Sequence, residues 1–164
     1  MKTINVLEHF LFNESTDILN KLTIHHQPVW GLMNAQQMVE HLSLAVEVGN
    51  GKRKLLVENN AVSAEKLKRI VLLTDRPLPK GFQNPVLPTT PIPLMYADIN
   101  EAIHKLYENL LDLKQYFTEN PTEVTTHNIF GHLNYHEWLW FHYKHFMHHF
   151  AQFKLVSEVT KFAD

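Results

Sequence analysis

Cysteine is absent from the 164-residue chain. Its absence excludes disulfides, thiolate metal ligands and a cysteine nucleophile, so a transition metal would have to be held by histidine and carboxylate. An excess of one charge is also lacking. The formal net charge of −2 gives no overall attraction to nucleic acid or to an anionic membrane. The basic clusters GKRK (51–54) and EKLKR (65–69) are short and read as solvated loop and helix face. No stretch approaches the roughly 18 uncharged apolar residues of a membrane span. The opening MKTINVLEHFLFNES is interrupted by Glu8 and His9 and has no small-residue cleavage site, so it does not read as a signal peptide. The expectation is a cytoplasmic protein with no nucleic-acid or membrane partner.

What is present suits one domain spanning 1–164. Hydrophobic residues are 45% and charged residues 20%, enough for one sizeable core under a polar surface. The pattern predicts an all-α fold of four main helices. The first lies near 3–24, with a break or re-cap at NESTD (13–17). The second opens at Asn34, where Gln37 completes a capping-box pattern, and carries Leu32, Met38, Leu42, Ala45 and Val48 on its apolar side. The third runs from Asp98 to Glu119, with Leu106, Leu110, Leu113 and Phe117 at helical spacing and Pro121 beyond its end. The fourth opens at Asn134, with Glu137 in the matching box position, and runs through Gln152 or beyond.

Between the second and third helices lies a long connector, about 50–97. It holds one short helical candidate, SAEKLKRIVLL (63–73), and then most of the prolines, in DRPLPKGFQNPVLPTTPIPL. Such proline density excludes both helix and interior strand. A long connection in a small helical protein implies a crossover, so the expected topology is a four-helix bundle, up-down-down-up, with the crossover between helices 2 and 3. Nothing alternates for long enough to predict a sheet.

Histidine is abundant, with 12 residues, and HYKHFMHHFAQF (142–153) carries four of them. His145 and His149 are four apart, so on a helix they lie about 40° apart on one face and can converge on one ion. The pair alone fits a histidine-rich surface helix as well as a metal site. The HExxH pattern of helical zinc proteases is missing, because His136 and Glu137 are followed by His142 at the wrong angle. His41, in MVEHLSLA, borders the apolar side of the second helix, where an inward histidine is either a hydrogen-bonded core residue or a ligand. Packed opposite His145 and His149, it would complete a three-histidine set with an open fourth position, the catalytic type of site for zinc or a similar ion.

One histidine in the second helix, an HxxxH pair in the last and glutamine three residues after it make a pattern that resembles the DinB-like superfamily of metal-binding four-helix bundles. Here the matching residues are His41, His145, His149 and Gln152, and FGHLNYHEW (130–138) resembles the entry to the last helix in an uncharacterised branch of that superfamily. The resemblance implies a metal-dependent enzyme with His41, His145 and His149 as ligands of zinc or nickel. It also implies thiol-transferase or isomerase chemistry with a low-molecular-weight thiol of the bacillithiol type.

In such a site Gln152 would orient a ligand imidazole, and His142 and Glu137 are the candidates for proton handling. Each of those two also reads as an exposed or helix-capping side chain. Trp138 is a candidate to line the cofactor or substrate site, although it and Trp140 read equally as core or interface. Competing readings are a metal-dependent hydrolase of a small molecule and a non-catalytic metal-binding interaction protein. The proline-rich stretch 76–93 is a candidate pocket wall for a small-molecule substrate. The aromatic richness of the last helix suggests a homodimer.

Overall fold

The computed structural model describes residues 1–55, 61–81, 88 and 90–156. The protein is mostly helical, with a small antiparallel hairpin. In chain order the elements are α1 (Ile4–His9), a π-type turn (Phe10–Glu14), α2 (Ser15–Leu19), α3 (Ala35–Gly49), α4 (Ala61–Leu67), a second π-type turn (Lys68–Leu72), α5 (Ile99–Glu119), β1 (Thr125–His127), β2 (Gly131–Leu133) and α6 (Tyr135–Gln152). Part of the proline-rich connector (82–87 and 89) and residues 157–164 lie outside the described residues.

The helix starts follow side-chain chemistry. Asn34 accepts from the Gln37 N–H at 2.8 Å while the Gln37 side chain accepts from the Asn34 N–H at 3.0 Å, so two orphan donors at the start of α3 are satisfied. Asn134 and Glu137 repeat the arrangement at α6. At α5 the box is displaced by one residue. Asp98 accepts from Asn100 and Glu101, but the Glu101 carboxylate reaches back to the Ala97 N–H.

Several expectations are corrected. The first helical segment is not re-capped at 13–17. Of the break or re-cap expected there, the helix shows a change to the π-type turn at Phe10–Glu14 but no new cap, and the Ser15 hydroxyl bonds backward to the Leu11 carbonyl at 2.7 Å instead of forward to a new first turn. Leu32 precedes α3 and is exposed rather than part of its apolar side. The helical candidate at 63–73 begins earlier, at Ala61, so Ser63 is interior to it. The fold is also not purely α. Strands β1 and β2 pair in register Thr125↔Leu133, Thr126↔His132 and His127↔Gly131. Three-residue strands are too short for alternation to show in sequence. The turn between them is set by the His127 Nδ1, which accepts from the Ile129 and Phe130 N–H groups, and by Gly131 at φ +71°.

Helices α3 and α5 make the main packing contact, and α6 packs against α1 and α3. Met38, Leu42 and Val46 of α3 meet the buried side of α5, Leu106, Leu110 and Leu113, while Trp138, Trp140, Phe146 and Phe150 of α6 complete the core. The aromatic side chains of α6 are therefore spent inside one chain rather than presented as a surface. Each is large enough that truncation to alanine would cost about 3–5 kcal/mol.

The connector is tied down by polar anchors at its middle and its far end. Midway along it, where the proline-rich part begins, Trp140 Nε1 donates to the Leu72 carbonyl, and the buried Lys144 ammonium donates to the carbonyls of Val71, Leu72 and Thr74 at 2.7, 3.1 and 2.9 Å. At its far end the buried Glu40 carboxylate accepts from the Met95 and Tyr96 N–H groups, and Gln36 donates to the Tyr96 carbonyl. With the Gln37 amide, which donates to the Ile92 carbonyl, these bonds hold the 92–96 segment along the first turns of α3. No described helix is long and apolar enough to cross a membrane.

Candidate metal centre

His41 comes from the middle of α3, and His145 and His149 from successive turns of α6. The structure brings the three together, with every ligand atom within 4.8 Å of the others. His145 Nε2 lies 2.9 Å from His41 Nε2 and 3.1 Å from His149 Nε2. An ion with bonds of about 2.0–2.1 Å separates neighbouring nitrogen ligands by about 3.0–3.4 Å, so these nitrogens stand close to coordinating positions. The ring centroids are 4.8–4.9 Å apart in all three pairs and the rings meet edge to face, so the nitrogens converge on one point without the rings stacking.

The tautomer of His149 is fixed by its neighbours. Its Nδ1 lies 2.7 Å from Gln152 Oε1, and the Gln152 amide nitrogen donates to the Trp30 carbonyl at 2.6 Å. A carbonyl accepts only, so the amide must present its NH2 to Trp30 and its oxygen to His149. Nδ1 therefore carries the proton and Nε2 offers its lone pair to the site, the arrangement metal-ligating histidines need. Gly31 permits it. Its φ is +83°, and a Cβ there would lie 2.6 Å from the Gln152 amide nitrogen. The same loop is held to the end of α6 by the Val29 N–H donating to the Gln152 carbonyl.

Burial keeps the three imidazoles neutral. His41 is pushed down to about 4, first by desolvation and then by His148. His145 and His149 are held well below the usual histidine range, chiefly by burial and then by the neighbouring imidazoles. Neutral imidazoles keep their lone pairs at neutral pH, so no proton need be displaced before an ion binds. Three nitrogen donors with no carboxylate in the set suit a divalent ion of borderline softness. The residues thus fit the metal that the sequence pattern implies.

The remaining candidates occupy other settings. Gln152 stands against His149, as the orienting role requires. His142 is buried in the core, stacked on Trp138 at 5.4 Å, and neither of its ring nitrogens has a hydrogen-bond partner among the described residues. Glu137 caps α6 and pairs with Lys68 at 2.6 Å. Of the two candidates for proton handling, the structure thus places His142 within the core and Glu137 at the start of α6. Trp138 is fully buried against Phe141, His142 and His127, which is a core position rather than a ligand-lining one. His136 points to the far side and bonds the Lys2 carbonyl.

Sequence reasoning missed Trp30, Gly31 and Glu40. Only the pairing of a glycine with the preceding tryptophan hinted at a special loop. Its partner, Gln152, lies 122 positions from Trp30.

No curated protein and no solved structure matches the chain. A family model described as "Protein of unknown function (DUF1569)" matches residues 12–155, a span that includes all three histidines, Gln152 and the Trp30–Gly31 loop, and the chain belongs to that family.

Proposed function

We propose that the protein is a metal-dependent enzyme of the DinB-like type, in which His41, His145 and His149 hold one zinc or nickel ion. Its helices would be ordered as an up-down-down-up four-helix bundle with a crossover connector. The observation that carries the reading is the convergence of three neutral imidazoles from two helices, with the tautomer of His149 set by Gln152. A purely structural site would call for a fourth protein ligand. Among the described residues the set has three members, which favours a site with an open position.

The ion, when bound, supplies Lewis-acid chemistry that stabilises an anionic sulfur or oxygen nucleophile near neutral pH. The chain supplies the rest. Three uncharged ligands leave the ion's positive charge undiminished, which favours an anionic thiolate partner. With no cysteine of its own, the protein must take that sulfur from outside. The reaction proposed is thiol-dependent S-transfer to a small electrophile in the cytoplasm, with Gln152 keeping His149 in its donor orientation.

The test is a panel of low-molecular-weight thiols with a model electrophile, run on metal-loaded wild type, metal-stripped wild type and His149→Ala. A rate that needs thiol, metal and His149 together is expected. No rate above the uncatalysed thiol reaction, or one that survives loss of the metal, contradicts the reading. Hydrolysis without thiol would point to water as the nucleophile instead.

A further inference from the structure

On the face of α6 next to the three histidines lies a cavity of about 190 Å³. Its walls are the Trp30 loop, residues 77–80 of the connector and the α6 positions 144, 147, 148 and 151. Most of the lining is apolar. Trp30 and Leu78 are partly buried, yet both stand outside the hydrophobic core of the described residues and line this space instead. Met147 and Ala151 supply its helix side. A loop and a connector thus hold two large apolar side chains away from the core, and their surface is left for a ligand to cover.

The polar side chains of the wall are already engaged. Lys144 gives its three N–H donors to the carbonyls of Val71, Leu72 and Thr74, and the Asp75 carboxylate acts on its charge. The Lys80 ammonium lies 4.6 Å over the Trp30 ring. The His148 ring meets the rings of Trp30 and His149 edge to face. Among the described lining side chains this leaves the Trp30 indole N–H without a partner, a neutral donor that suits a carbonyl or ether oxygen and balances no charge. A charged ligand would lose hydration here and gain no partner in exchange. The size is also informative. An apolar cavity of about 150 Å³ accepts benzene, whereas drug-sized ligands need about 300–1,000 Å³.

We infer that this cavity is a binding site for a compact uncharged molecule, one aryl ring or an alkyl group of similar size. Its body lies against Trp30, Leu78 and Met147. The site does not rest on the metal reading, because none of its lining residues is a member of the three-histidine group. It does border that group. Trp30 lines the cavity and anchors Gln152 with its carbonyl, and His148 lines the cavity while its ring meets that of His149.

The experiment is ligand-observed NMR on the full chain with two uncharged probes, toluene and acetophenone, and two charged ones, benzoate and benzylamine. Wild type, Leu78→Asn and Ala151→Leu are compared. Toluene and acetophenone should bind in the millimolar range, with benzoate and benzylamine at least fivefold weaker. Leu78→Asn, at a partly exposed position outside the core, leaves the fold intact and should weaken toluene about fivefold, as loss of part of the apolar wall does. Ala151→Leu, which fills the cavity, should abolish binding in protein with wild-type circular dichroism. Absence of binding of both uncharged probes in the millimolar range, benzoate or benzylamine binding as tightly as toluene, or toluene affinity unchanged in Leu78→Asn overturns the proposal. So does binding that survives in folded Ala151→Leu.

Discussion

Replacing Gln152 by leucine removes the group that links the loop to the metal centre while nearly conserving volume. The wild-type amide is buried and makes two short hydrogen bonds, accepting from His149 Nδ1 at 2.7 Å and donating to the Trp30 carbonyl at 2.6 Å. Leucine satisfies neither, so a buried N–H and a half-buried carbonyl are stranded at about 1–3 kcal/mol each, partly offset by burying the leucine. A loss of about 2–4 kcal/mol is expected, within the about 5–15 kcal/mol a domain has to lose, so the variant should still fold. The effect on metal binding is separate. With Nδ1 no longer held as donor, His149 is free to present the wrong tautomer, and loss of such an orienting partner typically costs about 10–100-fold in affinity. The two effects are read by urea denaturation of chelator-treated protein and by competition for zinc or nickel with a chromophoric chelator. Gln152→Glu is the informative control. It keeps an acceptor for His149 but sets oxygen against the Trp30 carbonyl, so it should lose stability while retaining most of the metal affinity. Unchanged metal affinity in Gln152→Leu would refute the claim that Gln152 governs the ligand tautomer.

Three further outcomes follow from the same geometry. Gly31→Ala forces a side chain into left-handed backbone at about 1–2 kcal/mol and drives its Cβ against the Gln152 amide, so it should lower both stability and metal affinity; wild-type affinity in that variant would show that the loop and the site are uncoupled. His127 and His142 are pushed down to about 3, chiefly by burial, so the folded chain binds fewer protons than the unfolded chain between about pH 6.5 and 3. Their contribution to stability is therefore complete above 6.5 and falls at about 1.4 kcal/mol per histidine per pH unit below it, and a urea midpoint of the chelated protein that stays flat from pH 7 to 5.5 would contradict this burial. Lys144→Met removes the donor shared by three connector carbonyls and should cost about 1–3 kcal/mol; a variant as stable as wild type would show that the connector is held by packing alone.

The parts of this account that were legible in the sequence are those carried by local chemistry. Asn34 with Gln37 and Asn134 with Glu137 gave the starts of α3 and α6, because a capping box is complete within four residues. The i, i+4 pair His145 and His149 and the inward position of His41 followed from helical periodicity. Features that depend on distant partners were hidden. Of the break or re-cap expected at 13–17, the re-cap did not form, since Ser15 makes a backward bond that the residue type alone does not decide. Glu40 and Lys144 look like surface charges in a string of letters, yet both are buried as anchors of the connector. Trp30 and Gly31 become part of the metal centre only when the loop meets the last turn of α6. The capping of α6 by Glu137 was legible as half of the capping box, whereas the burial of His142 in the core could be seen only in three dimensions.

The central claim is that three histidines from two helices form a divalent-metal site. The most direct measurement is elemental analysis of protein purified without an affinity tag, before and after saturation with zinc or nickel and removal of free ion. One ion per chain is predicted for wild type and for His136→Ala, whose ring serves the Lys2 carbonyl on the far side of α6. His145→Ala should lose tight binding. A wild-type protein that retains no ion, or full occupancy in a variant carrying both His41→Ala and His145→Ala, would contradict it.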